Sequence, residues 1–577
     1  MTAYLTALAT EGCIFSIMAL GLNVIWGWAG DLDLAFYGYV AVGAYMAMVT
    51  SIGRLPAPAQ YVLGWHLPFP LAALIATASA ALLALGVGAV ALRRLRAVYF
   101  AIITLSAVLM LQTVISDYTP LFNGFDGLYG MPQPFNDTLH LAPQAYSVFF
   151  VGFALLCLAV VYVLLDRLSR SPFGRALRAV REQERAAAAF GRSVYALKLT
   201  AYVLGAALGG FGGALLAASQ GAFNPTAWPP TETLDLYVAI FVGGMGNIRG
   251  VILGVFLVLV LFQESTRFVP ALWGNPNVSA AVREILLGVM ILVTMRYRIQ
   301  GLWPDGARRG RRPARPAAGT RPVLLEVRGL SKRFGGAEVV RACSFEVREG
   351  TVVGLIGPNG AGKSTAVELI TGFARPDAGV VRFAGREIQG WAPDRIARLG
   401  LIRTFQLPHE WPGLTVLENM ILAAPAKGRD AMWRPFFAAG ALRRAEAADR
   451  ERAADLLDTF GLLEHQDELA GTLSGGEKRL LEFARIAMAQ PRLMILDEPM
   501  GGVNPVLGAR IADAIARLVA LGVTVVIVEH DLAFVERVCD VVIVMALGTA
   551  IATGPLPALR ADRAVIDAYL GEAAVHA

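Results

Sequence analysis

The sequence predicts two folds in series: an all-α membrane domain of about eight or nine transmembrane helices, followed by an α/β domain built around a phosphate-binding loop. Three observations carry this. Uncharged runs of membrane-spanning length recur through residues 1–306 of the 577-residue chain. Residues 323–577 instead alternate short β-branched strands with helical stretches. Within them GPNGAGKST, beginning at Gly357, sets a glycine-rich loop between one such strand and a helix.

The apolar runs are Gly12 to Gly30, Leu34 to Gly53, Leu71 to Leu92, Val98 to Ser116, Tyr146 to Leu165 and Leu199 to Ser219, with shorter segments around Leu236 to Gly246 and Val251 to Phe262. No basic residue precedes the first run, so it reads as a retained span rather than a cleaved signal. Arg93, Arg94, Arg96 and the arginine-rich loop Asp166 to Lys198 are expected in the cytoplasm, and the segment Asp117 to Gln144, which has no Lys or Arg, outside. The N-terminus is then outside and the C-terminus inside. Gly205, Gly209 and Gly213 repeat at four-residue spacing, which suits close helix packing in lipid.

Asp31 and Asp33 sit between two spans. They read as capping the second span at a wet interface, with a buried pair contacting a polar or cationic solute as the alternative. Residues 307–322 carry six arginines and three prolines with no acid, a tether expected beside anionic lipid headgroups, with a specific binding site as the other reading. The net charge of +6 resides largely between spans and in this linker, so lipid topology accounts for it and no nucleic-acid partner is expected. Cys13, Cys157, Cys343 and Cys539 lie far apart, without metal-ligand spacing, and read as buried thiols in a reducing compartment.

In the second half, Thr351 to Ile356 is a short strand, and the loop through Gly357, Asn359, Gly360 and Gly362 can turn backbone N–H groups onto phosphate oxygens. Lys363 would reach the β- and γ-phosphates, Ser364 would place its hydroxyl on Mg²⁺, and Thr365 would add a phosphate contact. A second strand, Leu493 to Leu496, ends at Asp497 and Glu498, where one carboxylate can hold a metal and its neighbour polarise a water. A third, Val523 to Val528, delivers His530.

The ordered set GPNGAGKST, LSGGE from Leu473, LMILDEP from Leu493 and VVIVEHD from Val525 resembles the ATPase domain of ABC transporters over residues 323–577. That resemblance implies ATP and Mg²⁺ as ligands, Glu498 as catalytic base, and His530 as the switch histidine at the γ-phosphate. It makes Gln406 in RTFQLP the loop glutamine that senses metal and membrane domain together. Phe334 in LSKRFGG becomes the aromatic stacked on adenine, a core phenylalanine being the other reading. Ser474, Gly475 and Gly476 become the clamp on nucleotide held by an opposite subunit. Asn504 stands where many members have aspartate, as in ATPases of amino-acid uptake systems.

The first 306 residues are similar to permeases of the branched-chain amino acid type of ABC importer through ALGLNVIWGWAG from Ala19, VYFAIITL from Val98, GLYGMP from Gly127, SPFGRALRAVREQERAAAAFG from Ser171 and VGGMGNIRG from Val242. The fourth phrase resembles a coupling segment, with Gly191 in place and Arg185 where an acid often stands beside Glu184. The resemblance implies a permease fused to its ATPase, importing a small polar solute such as a branched-chain amino acid across a bacterial-type inner membrane, with the ATPase in the cytoplasm. It also implies a periplasmic or extracellular solute-binding protein and a heteromer with a second permease and a second ATPase, although a homodimer would be chemically complete. An ABC exporter half-molecule and a non-transport membrane ATPase remain the alternatives; the short cytoplasmic loops speak against the first.

Overall fold

The structure, a computed structural model, describes residues 2–53, 64–94, 97–228, 231–262, 285–286, 289, 322–404, 410–425, 430–500 and 505–568. The linker lies outside them except for its last residue, Pro322. The chain divides into two compact units, residues 1–181 with 195–305 and residues 182–194 with 306–577. The division thus falls inside the loop between Asp166 and Lys198, whose Glu182–Val194 stretch segregates with the second half.

In the first unit, among the described residues, the helices long and apolar enough to cross a membrane are Tyr4–Trp28, Phe69–Arg93, Tyr99–Asp117, Pro143–Ser169 and Val194–Gln220. The first and last are 78% and 72% buried over their apolar windows, against 28% for each of the other three. They form the centre of the bundle, and the others present largely exposed faces. Phe36–Ser51, almost wholly buried, joins them at the centre.

Glycine makes that centre possible. A side chain at Gly205 would meet the Gly21 carbonyl oxygen at 2.5 Å, and one at Gly21 the Gly205 oxygen at 2.7 Å, so the two central helices touch backbone to backbone. One turn on, Gly209 receives the Phe36 ring, and Gly213 abuts the Val40 carbonyl. In lipid, where apolar burial supplies no drive, such close contacts and the dispersion they allow hold helices together.

Thr231–Gly243 and Ile248–Val255, the latter continued by a π-helical turn at Phe256–Phe262, form an antiparallel hairpin. Gly243 faces Gly250, and Gly254 faces Ala239. The 13 residues of the first arm rise about 20 Å, short of a hydrocarbon core of roughly 30 Å. The loop of this hairpin reaches the end of the first span, where Trp28 donates through Nε1 to the Gly246 carbonyl (3.0 Å) and Asn23 accepts from the Gly246 N–H (2.9 Å). Two phrases more than half the permease apart in sequence therefore meet in space.

Asp31 and Asp33 are not at a wet interface. They are 3% and 0% exposed. Asp31 accepts from Lys198 Nζ at 2.7 Å. Asp33 accepts from the Ala35 N–H at 2.8 Å, while its backbone N–H and carbonyl are both bonded by the Tyr237 hydroxyl at 2.9 Å. The chain entering the second helix is thus held by an ion pair and an Asx turn, because an ionised carboxylate removed from water requires partners.

The second unit has two sheets. Strands β5 (Val352–Ile356), β8 (Leu401–Arg403), β9 (Leu493–Asp497), β10 (Thr524–Val528), β11 (Val541–Ala546) and β12 (Thr549–Gly554) form a sheet of order β12-β11-β5-β10-β9-β8, parallel except for β12. Strands β3 (Val323–Phe334), β4 (Ala337–Arg348), β6 (Ala378–Phe383) and β7 (Arg386–Glu387) make an antiparallel sheet of order β4-β3-β6-β7. β1 (Leu128–Tyr129) and β2 (Ala222–Phe223) pair in the first unit. β5, β9 and β10 are buried along their whole length, as their unbroken apolar runs require of strands covered on both faces. One core lies between the two sheets. Another joins the parallel sheet to helices Val416–Ala423, Ala439–Thr459, Gly475–Ala489 and Pro505–Ala520.

Replacing Gly213 with Val should cost about 1–3 kcal/mol through collision with the Val40 backbone. The thermal midpoint of the detergent-purified chain should fall by several degrees. An unchanged midpoint would show that the helix contact is not tight.

Candidate active site

β10 lies between β5 and β9, and the pairs Leu355↔Val528 and Val528↔Asp497 bring the three strand ends to one level. Everything the sequence singled out on these strands is delivered to this edge, the usual ligand crevice of an open parallel sheet.

After β5 the chain turns at Gly357 (φ +153°), where a side chain would strike the Met545 carbonyl. At Gly362 (φ +90°) a side chain would lie 2.6 Å from the Val339 carbonyl oxygen. Gly362 caps helix Lys363–Ile370 without any side-chain bond, which leaves the helix's first N–H groups for an anion. Lys363 Nζ donates to the carbonyls of Gly357 (2.7 Å) and Pro358 (2.8 Å), so the ammonium is held across the loop. Asn359, Gly360 and Ser364 are exposed and Thr365 is half-buried.

Asp497 ends β9, 6% exposed. Its Oδ2 accepts from Arg403 Nη2 at 2.7 Å, and both partners are buried. Glu498 follows in the left-handed region (φ +46°), a conformation that costs a non-glycine residue on the order of 1–3 kcal/mol and turns the chain sharply out of the sheet. Three bonds hold that turn. The Glu498 N–H donates to the Val528 carbonyl at 2.9 Å, and buried Arg479 donates to the carbonyls of Glu498 (3.3 Å) and Pro499 (3.4 Å).

His530 is separated from β10 by Glu529, a residue that the sequence reading passed over. Its carboxylate is 0% exposed. It accepts from the Met500 N–H at 2.7 Å, the His530 N–H at 3.0 Å and the Asp531 N–H at 3.4 Å. One buried anion thereby fastens the chain just after Glu498 to the chain carrying His530, whose own side chain is 66% exposed. The signal of Glu529 in the sequence is an acid at the end of an apolar strand, directly before the histidine.

Ser474 caps helix Gly475–Ala489 with a reciprocal box: Glu477 Oε2 accepts from the Ser474 N–H (2.8 Å) and hydroxyl (2.7 Å). These bonds hold the Glu477 carboxyl below the usual carboxylate range. Ser474 and Gly475 are exposed and Gly476 is half-buried. Phe334 closes β3 at 49% exposure, so it is a surface ring and not a core phenylalanine. Gln406 and Asn504 lie outside the described residues.

Besides Gly191, the Glu182–Val194 stretch contacts the α/β unit through residues that the sequence reading did not select. Arg185 is exposed. Glu182 instead accepts from the Gly413 N–H (3.1 and 3.2 Å), just ahead of helix Val416–Ala423. At the other end of that helix, Arg192 donates to the carbonyls of Leu422 (2.6 Å) and Ala424 (3.0 Å) and pairs with Asp430. An anion at the helix's N-terminal end and a cation at its C-terminal end both complement the helix dipole. Between them Gly191, at φ +78°, offers its carbonyl to Arg398 Nε at 2.9 Å.

Residues 4–295 match the family described as "Branched-chain amino acid transport system / permease component". Residues 340–501 match the family described as "ABC transporter". The second half is similar to the high-affinity branched-chain amino acid transport ATP-binding protein LivG of Salmonella typhimurium, 39% identical over 251 residues covering 43% of this chain and 98% of LivG. It is similar also to BraF of Pseudomonas aeruginosa, described in the same words, 40% identical over 255 residues covering 44% of this chain and 100% of BraF. A solved nucleotide-free ATP-binding cassette of an ABC transporter is 31% identical, covers 43% of this chain and 99% of that one, and has a TM-score of 0.37.

Glu529→Gln should remove the second acceptor oxygen and leave buried N–H groups unpaired, at a cost of about 1–3 kcal/mol. Thermal unfolding of the nucleotide-free chain followed by tryptophan fluorescence should show a lower midpoint. No shift would mean that the N–H groups left by the replaced oxygen find other acceptors.

Proposed function

Because this chain belongs to the permease family of branched-chain amino acid transport systems and carries an ABC transporter ATPase in its second half, we propose that it uses ATP to import a small polar solute, branched-chain or related amino acids first among them. One observation carries the reading. A phosphate loop, a strand-end carboxylate pair and a strand-end histidine converge at one sheet edge, in the same chain as a membrane-spanning bundle.

In the proposed mechanism Phe334 stacks on the adenine and the loop N–H groups from Gly357 to Gly362 receive the phosphates. Lys363 exchanges its loop carbonyls for the β- and γ-phosphate oxygens, and Thr365 adds a contact. Mg²⁺, when bound, would neutralise charge on those phosphates. The donor set suits it: a strand-end carboxylate, Asp497, and a helix-start hydroxyl, Ser364, are hard oxygen ligands, and Mg²⁺ takes few protein ligands besides waters and phosphates. Among the described residues no cluster of three acids, histidines or cysteines competes for it. Arg403 holds one oxygen of the Asp497 carboxylate, Oδ2. Gln406 is the further ligand proposed from the loop after β8.

Glu498, turned out of the sheet by its left-handed backbone, takes a proton from the attacking water, and His530 contacts the γ-phosphate. Ser474, Gly475 and Gly476 of one ATPase close on nucleotide held by the other. Closure moves Glu182–Val194, and the permease changes its access. In this reading the chain lies in a bacterial-type inner membrane with its ATPase in the cytoplasm, receives solute from a periplasmic or extracellular binding protein, and is completed by a second permease and a second ATPase. The exporter alternative is disfavoured because the helix Pro143–Ser169 ends at the membrane-length limit and is followed by short helices, Pro172–Glu182 and Glu184–Ala189.

Glu498→Gln should leave ATP affinity nearly unchanged and lower hydrolysis about 100-fold or more. Hydrolysis above half the parental rate would remove Glu498 from the role. Vesicles containing the chain, its partner subunits and the binding protein should accumulate labelled leucine only with ATP. ATP turnover without accumulation of any amino acid tested would overturn the importer reading. The chain purified alone should lack transport; a stable homodimer, by mass in nanodiscs, that transports unaided would exclude the heteromer.

A further inference from the structure

Phe190 projects from the Glu182–Val194 stretch and packs against the helical core of the ATPase unit. It meets the Trp411 ring edge-on, centroids 5.7 Å apart. Arg485, from the helix Gly475–Ala489 that begins at the signature residues Ser474–Gly476, faces both rings. Its guanidinium carbon is 3.9 Å from the Trp411 centroid and 4.7 Å from that of Phe190. Arg485 is 2% exposed and Trp411 0%. Trp411 is itself fixed by Asn419, which accepts from its N–H and donates to its carbonyl, each at 3.0 Å.

A guanidinium in this place is costly. Burial pulls its pKa down to about 10, which leaves it charged at neutral pH. An apolar side chain would fill the space without that desolvation. What the cation adds is directionality: its attraction to a ring holds only within about 6 Å of the centroid and over the face. A shift of Phe190 by a few ångströms therefore changes the solvation of Arg485, whereas an aliphatic contact would slide. The helix is rigid, so Arg485 can pass that shift to Ser474–Gly476, about three turns away.

We propose that Arg485 is the positioning residue through which the Glu182–Val194 segment and the signature residues sense one another, by a guanidinium held between Phe190 and Trp411. This rests on the transporter reading given above. The ring contacts of Arg485 are with Phe190 and Trp411, neither of them assigned to nucleotide or metal, so its loss uncouples and does not abolish hydrolysis.

The test uses the full chain with its partner subunits and binding protein in vesicles. Arg485→Met should keep basal ATP hydrolysis within about twofold and cut amino-acid uptake per ATP by about tenfold or more. Phe190→Leu should do the same, and the double variant should be no worse than either single one. A parallel measurement needs no transport. In the parent, a non-hydrolysable ATP analogue should alter hydrogen exchange across Glu182–Val194, and Arg485→Met should erase that change while analogue affinity stays within about twofold. Should Arg485→Met fail to fold, Arg485→Lys, which keeps charge without the planar face, should show the same loss of the exchange response. Preserved uptake per ATP, additive effects of the two variants, or an exchange response that survives would overturn the proposal. An exchange response erased in a chain that transports nothing would instead leave the proposal standing and overturn the importer reading.

Discussion

The alignment of β5, β10 and β9 at their C-terminal ends is the constraint on which the ATPase unit depends. Hydrogen bonds in parallel register, Leu355 to Val528 to Asp497, bring three loops distant in sequence to one edge. Each loop must then leave the sheet abruptly. Gly357 does so with a φ closed to side chains, Glu498 with a left-handed residue braced by Arg479, and Glu529 by bonding the N–H groups of two loops at once. The strain at Glu498 persists because the strands and Arg479 over-determine it.

The membrane unit meets a different constraint. With no water in the bilayer core, its backbone must satisfy itself within helices, and its helices must adhere without a hydrophobic drive. Glycines at 21, 205 and 213 solve the second problem by letting backbones touch, and Gly209 by admitting the Phe36 ring. The buried Asp31–Lys198 pair and the Tyr237 bonds to Asp33 are the polar counterpart, fastening the turn after the first span to the helix Val194–Gln220 and the short hairpin.

Glu182–Val194 belongs in sequence to the first half and in packing to the second. Its ends grip one helix at opposite poles, Glu182 at the N-terminal side and Arg192 at the C-terminal carbonyls, so the contact has a polarity that a hydrophobic patch would lack. Lys198, about one helical turn after Val194, pairs with Asp31 inside the membrane unit.

The sequence by itself determined the division into a membrane domain and an ATPase, the glycine positions of the phosphate loop, the strand-end carboxylates and the helix-packing face around Gly209. All of these are local signals: run length, residue type and a period of two to four residues. The same local reading misplaced Asp31 and Asp33 at a wet surface, because the lysine that neutralises Asp31 is 167 residues away. It overlooked Arg403, Glu529 and Arg192 for the same reason. A buried charge is stable only beside its partner, and pairing across the chain leaves no periodicity to read. Only the tertiary structure decided which strands stand beside β5, which acid fastens His530 to the turn after Glu498, and which unit receives Phe190, since these follow from register and packing between segments whose order in the chain says nothing of their distance in space.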